Sequence, residues 1–212
     1  MCTLNVLTLK GRFAIADVVS AVACCASRLR SLTLDINATD QTAQGTHFPA
    51  NLRLSRLHHL RVAGPFSLVL VCAINAPNLR KLVVERNGDW KLPENVWLSF
   101  LTAHPTLQMV AWLDVAFAQR VLLADNSESR TSLLPNLRKL FINYSNVDAE
   151  GVATLRGLVT HLQAASSSEG PKCMICLRES SRQSELFEPT QDISDHVRFL
   201  SQKSCLLSLR GY

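Results

Sequence analysis

The sequence predicts an α/β fold in which short parallel strands alternate with helices or irregular turns, and two observations carry that prediction. Pro135-Asn136-Leu137-Arg138-Lys139-Leu140 repeats, residue for residue, Pro77-Asn78-Leu79-Arg80-Lys81-Leu82. Both stretches belong to a frame, Leu-x-x-Leu-x-Leu with Ile or Val allowed at the end, that returns along the chain. A spacing of three and then two suits a turn feeding a strand. The first apolar residue plugs the core from the turn, and the next two point inward from alternate strand positions. One frame is weak evidence, because Leu is common; recurrence gives it meaning.

The elements follow in order. The first frame is Leu4, Leu7 and Leu9, and residues 13–26 are apolar enough for a buried helix. Leu29, Leu32 and Leu34 form the second frame; a polar loop over residues 37–47 separates it from Leu57, Leu60 and Val62. Residues 67–76 carry no charge and stop before Pro77, and their place between two frames favours helix over strand. Leu79, Leu82 and Val84 make the fourth frame. Pro93 suits a first helical turn, with Val96, Phe100 and Leu101 on one face before Pro105. The fifth frame, Leu107, Val110 and Trp112, is looser. A polar loop over 125–132 precedes Leu137, Leu140 and Ile142. Residues 148–165 give the clearest helical spacing, with Asp148 as N-cap and Val152, Leu155, Leu158, Val159 and Leu162 recurring. A degenerate frame runs through Ile175 and Leu177, residues 179–191 read as loop, and a last helix over 192–202 leads to Leu207 and Leu209.

The middle apolar positions are then 7, 32, 60, 82, 110, 140, 175 and 207, between 22 and 35 residues apart. Leucine-rich repeats run about 20–29 residues each, and the longer steps contain the polar loops. The expected architecture is one leucine-rich-repeat domain over 1–212, of seven to eight irregular repeats. It is a solenoid with parallel strands on its concave side and helices or irregular turns on its convex side. A doubly wound nucleotide-binding sheet would need a glycine-rich turn after an early strand. After Leu9 the chain offers only Lys10-Gly11-Arg12-Phe13.

Composition narrows the class. Hydrophobic residues make up 47% of the 212, which is globular rather than disordered. The longest apolar run, Leu68 to Ile74, is about a third of the ~20 residues that span a bilayer. No secretory signal pattern opens the chain, so an intracellular protein, cytoplasmic or nuclear, is expected. Seven cysteines, several in apolar segments (Cys24, Cys25, Cys72), then read as buried reduced thiols. The net charge of +5 comes from scattered Arg and Lys. It favours an acidic partner and not nucleic acid.

Two stretches resemble the leucine-rich-repeat region of fungal F-box proteins. Phe100-Leu101-Thr102-Ala103-His104-Pro105-Thr106-Leu107 is similar to the helix, His-Pro, Leu junction of that family. The stretch 137–142, followed by Asp148, Gly151, Val152 and Leu155, is similar to its cysteine-containing repeat subtype. The resemblance implies repeats that hold the substrate of a ubiquitin ligase, with an F-box helix bundle docking on the ligase scaffold. The first frame begins at Leu4 and leaves no room for that bundle ahead of it. The scaffold is thus an expected partner only where an F-box lies outside this chain.

Constellations with chemistry are few. Cys173 and Cys176 have the spacing of a zinc half-site but no second pair, and small apolar fillers are the simpler reading. His58 and His59 are strand neighbours facing opposite ways. His104 before Pro105 reads as a helix end. Asp195-His196 has no nucleophile motif beside it. The sequons at Asn37 and Asn143 are idle without secretion. No catalytic, metal or cofactor residue is expected, and the chain reads as a non-catalytic protein-binding module. The alternative is a small α/β nucleotide-binding protein or enzyme with a degenerate motif. Partner contact is expected on the strand face opposite the core, where His59, Arg61, Lys81, Glu85, Met109, Leu113, Lys139 and Phe141 would mix exposed apolar anchors with charges.

Overall fold

A computed structural model describes residues 4–38, 52–64, 70–85, 94–112, 134–143, 153, 157, 174–178 and 197–200. The chain divides into two compact units, Met1–Leu107 and Gln108–Tyr212. Each is built on a parallel sheet, with few helices among the described residues, so the class is α/β.

In the first unit, β1 (Val6–Phe13) pairs with β2 (Ser31–Ala38). Next to β2 lies β4 (His59–Ala63), and next to β4 lies β6 (Lys81–Glu85). Every pairing is parallel. The register aligns Leu7, Leu32, Leu60 and Leu82, and likewise Leu9, Leu34, Val62 and Val84. These are the middle and last positions of the first four frames. Leu32, Leu34, Leu60, Val62 and Leu82 are at most 1% exposed, whereas Leu7 and Leu9 on the outermost strand are half-buried. A shorter parallel pair joins β3 (Leu52–Arg53) to β5 (Ile74–Asn75). Two-residue strands have no periodicity to read. Residues 67–76 are therefore not one helix: Leu70 and Val71 are helical, and Ile74 and Asn75 are strand.

Helix α1 (Ile15–Cys25) buries Ile15, Val18, Val22 and Cys25 at helical spacing, with Asp17 in its first turn favoured by the helix dipole. Phe13, expected in this helix, instead ends β1. Helix α2 (Glu94–Thr102) buries Trp97, Phe100 and Leu101. Trp97, not Val96, takes the inward place, and its ring meets Phe100 edge-on at 6.1 Å.

In the second unit, β7 (Met109–Trp112), β8 (Lys139–Asn143), β9 (Met174–Arg178) and β10 (Val197–Leu200) pair in parallel in that order. Val110, Leu140, Ile175 and Val197 align. Strand β10 occupies the segment expected to be the last helix. Val197 and Phe199 alternate as Ile175 and Leu177 do, so the final frame sits about ten residues earlier than expected. Leu207 and Leu209 lie outside the described residues. So does most of 148–165, where Ala153 and Gly157 are helical.

Before β4, β6, β7 and β8 the frame's first leucine closes the same turn. Leu57, Leu79, Leu107 and Leu137 donate their N–H to the carbonyl three residues back, on Leu54, Ala76, His104 and Leu134. Pro77, Pro105 and Pro135 hold the second turn position, where a fixed φ near −65° fits. Both the plugging leucine and the residue that opens each turn are buried, at 4% or less.

Candidate interaction surface

The turns are stitched to one another. The Arg30 carbonyl accepts the N–H of both His58 and His59, at 2.9 and 3.1 Å; the His58 carbonyl accepts those of Arg80 and Lys81, both at 2.9 Å. The Gln108 carbonyl accepts Arg138 and Lys139 in the same way. Side chains add to this in the first unit. The Asn78 amide donates to the Ser55 carbonyl at 2.7 Å, and His58 Nδ1 donates to the Asn78 carbonyl at 3.1 Å. Thr106 Oγ1 faces the carbonyls of Pro77 and Leu79 at 3.0 and 2.8 Å, sharing its one proton between them.

His104 is more than a helix end. It opens its turn at a place where Leu54, Ala76 and Leu134 open theirs, and it is 1% exposed. Nδ1–H donates to the Phe100 carbonyl at 2.6 Å, and Nε2 accepts the N–H of Ala76 at 3.0 Å. The ring also lies over Phe100, with centroids 4.1 Å apart. Burial pushes its pKa down, and the Phe100 bond opposes that. An open cleft of about 380 Å³ between Ile74 and α2 reaches His104, with Cys72, Val96 and Phe100 among its walls. Both imidazole nitrogens are committed.

The expected partner residues separate by exposure. In the first unit Arg61 is exposed and His59 half-buried, its pKa lowered by burial and then by the positive charges of Lys81 and His58. Lys81, by contrast, is buried, as is Val83 beside it on the same face. Glu85 ends β6 in register with Ala63. In the second unit Lys139 is half-buried, while Met109 and Phe141 are 7% and 4% exposed. The exposed apolar anchors expected of this face are thus covered. In register, Phe141 is flanked by Ala111 on one side and Cys176 on the other, at strand spacing of about 4.8 Å. Leu113 lies outside the described residues.

Exposed charge lies at the turns as well. Arg28, Arg30, Arg56 and Arg80 are all exposed. The signal was present in the sequence as Arg28-Leu29-Arg30, Arg56-Leu57-His58 and Asn78-Leu79-Arg80, where at least one Arg flanks each plugging leucine. Cys25 and Cys176 are buried as expected, whereas Cys24 and Cys72 are exposed; none of the four is in a disulfide. Cys24 lies off the inward stripe of α1, and Cys72 sits in the turn after the helical Leu70 and Val71. Cys173 lies outside the described residues, among which no group of three or more His, Cys, Asp or Glu could hold a metal. No described helix is long and apolar enough to cross a membrane.

No protein-family model matches the chain, and no curated protein matches it. Among solved structures it is similar to TLR13 in a crystal structure of a TLR13–ssRNA13 complex. Identity is 16%, the match covers 82% of this chain and 28% of that one, and the TM-score is 0.35. The chain thus spans little more than a quarter of that protein's length, and a score this low carries no argument.

Proposed function

We propose that the chain is a leucine-rich-repeat solenoid serving as a non-catalytic protein-interaction module. One observation carries the reading: the frames spelled by the sequence pair in parallel and in register within each unit, leucine beside leucine. Stacked repeats of this kind leave a regular array of polar turns, a form suited to extended contact with another protein. The specific form of the proposal is the substrate-holding arm of a ubiquitin ligase. It is supported by the sequence resemblance over residues 100–107 and 137–155.

The test is a thermal-shift series with nucleotides and divalent metals beside a cross-linking pull-down with the full chain. The melt is expected to stay unchanged in the first. In the second, a reproducible protein partner is expected whose capture falls with Arg61→Glu. A nucleotide- or metal-specific rise in melting temperature would favour the alternative, a small α/β nucleotide-binding protein or enzyme. Co-precipitation of a ligase scaffold tests the specific form.

A further inference from the structure

We infer that the turns preceding β2, β4 and β6 form a basic rim that binds a carboxylate-rich segment of a partner protein. This deepens the protein-binding reading and rests on it. Counting back from the paired residues Ser31, His59 and Lys81, positions 28, 56 and 78 stand three places before the strands and 30, 58 and 80 one place before, on either side of the buried Leu29, Leu57 and Leu79. The first row is Arg, Arg, Asn and the second Arg, His, Arg. The backbone bonds from the Arg30 and His58 carbonyls hold the second row together, so its successive members stand about 5 Å apart at the backbone.

No Asp or Glu occurs within 26–31, 54–59 or 76–81. Asp35 lies four residues along β2 from Ser31, roughly 13 Å away, and Asp17 is in the first turn of α1. Four guanidinium groups that do not lose their protons are therefore gathered on one edge, and like charges on adjacent strands repel. A polyanion relieves that repulsion.

The chemistry favours carboxylates over a polynucleotide. A guanidinium fork matches a carboxylate with two parallel charge-assisted hydrogen bonds. Binding of single-stranded nucleic acid relies in addition on aromatic platforms for the bases, and the three turns contain no Phe, Tyr or Trp.

The experiment measures fluorescence anisotropy with the full chain and three labelled probes: an Asp/Glu-rich peptide, its Asn/Gln counterpart, and a single-stranded oligonucleotide. The acidic peptide alone is expected to bind well. Arg30→Glu with Arg56→Glu should weaken it roughly tenfold or more, and the milder Arg30→Gln with Arg56→Gln less so. Lys10→Glu with Arg12→Glu changes net charge equally on exposed residues toward the other end of the strands and should leave most of the affinity intact. Equal loss in the two Glu pairs, or no binding of the acidic peptide, overturns the rim. Tighter binding of the oligonucleotide overturns the choice of partner. The protein-binding reading itself fails on a different measurement, a nucleotide- or metal-specific thermal shift, so the two failures are distinguishable.

Discussion

Nε2 of His104 accepts the backbone N–H of Ala76 across 28 residues of sequence. Because Nδ1–H is already committed to the Phe100 carbonyl, the ring is fixed as one neutral tautomer. One imidazole thus ties the end of α2 to the turn before β6. His104→Ala would leave the buried Ala76 N–H without its acceptor and open a void beside Phe100. A loss of about 2–4 kcal/mol is expected in urea denaturation; a loss below about 0.5 kcal/mol would show the tie to be idle.

The same ring makes stability depend on pH. His104 and His59 both have pKa values lowered from the ordinary 6.5 in the folded protein, burial being the larger cause at each. The unfolded chain binds the proton first as pH falls. Stability is therefore full above about pH 6.5 and declines from there down to the lowered folded values. Urea midpoints between about pH 7.5 and pH 5 should show this decline. His104→Gln should flatten it, leaving the share due to His59. An unaltered slope in that variant would remove His104 from the account.

The leucine ladder predicts a graded response. Leu60→Ala, at a site 1% exposed in the middle of its sheet, should cost about 2–5 kcal/mol. Leu7→Ala, at the equivalent but half-buried place on β1, should cost less than about half as much. Equal costs would contradict the register.

Phe141→Ala is expected to destabilise the fold by about 3–5 kcal/mol, since the side chain is only 4% exposed. Arg56→Gln, on the exposed rim, should stay within about 0.5 kcal/mol of the parent. Melting curves of the two variants check the contrast between a face that packs and an edge that binds.

Gly64 follows β4 with φ of +80°, and a Cβ there would stand 2.8 Å from the Ile36 carbonyl oxygen. Gly64→Ala must either strain that backbone or push the end of β2 away. A loss of about 1–3 kcal/mol is expected by thermal melt.

How much of this the sequence disclosed depended on which signal each element used. The strands through Leu32, Leu60, Leu82, Val110, Leu140 and Ile175 were legible because each spells the same spacing at its buried frame positions. Helix α2 was legible from its flanking prolines, although its inward residue proved to be Trp97. Strands β3 and β5 were not, because two residues carry no period. The segment at 197–200 misled, since Val197, Phe199 and Leu200 satisfy either a short strand or a turn of helix. For the interaction surface, alternation told which side chains point away from the core. It could not tell that Lys81, Met109 and Phe141 would be covered by their surroundings, because exposure is set by neighbours far off in sequence. His104 was hidden for a related reason: its partner Ala76 belongs to the preceding repeat.

The carbonyls of Arg30, His58 and Gln108 each grip two consecutive amides of the next strand, and that grip fixes alignment whatever length of polypeptide joins the two. Descendants of this sequence can gain or shed residues in the connecting excursions without disturbing the scaffold. A single-residue deletion inside a frame is another matter, for it would turn every leucine of that strand toward water.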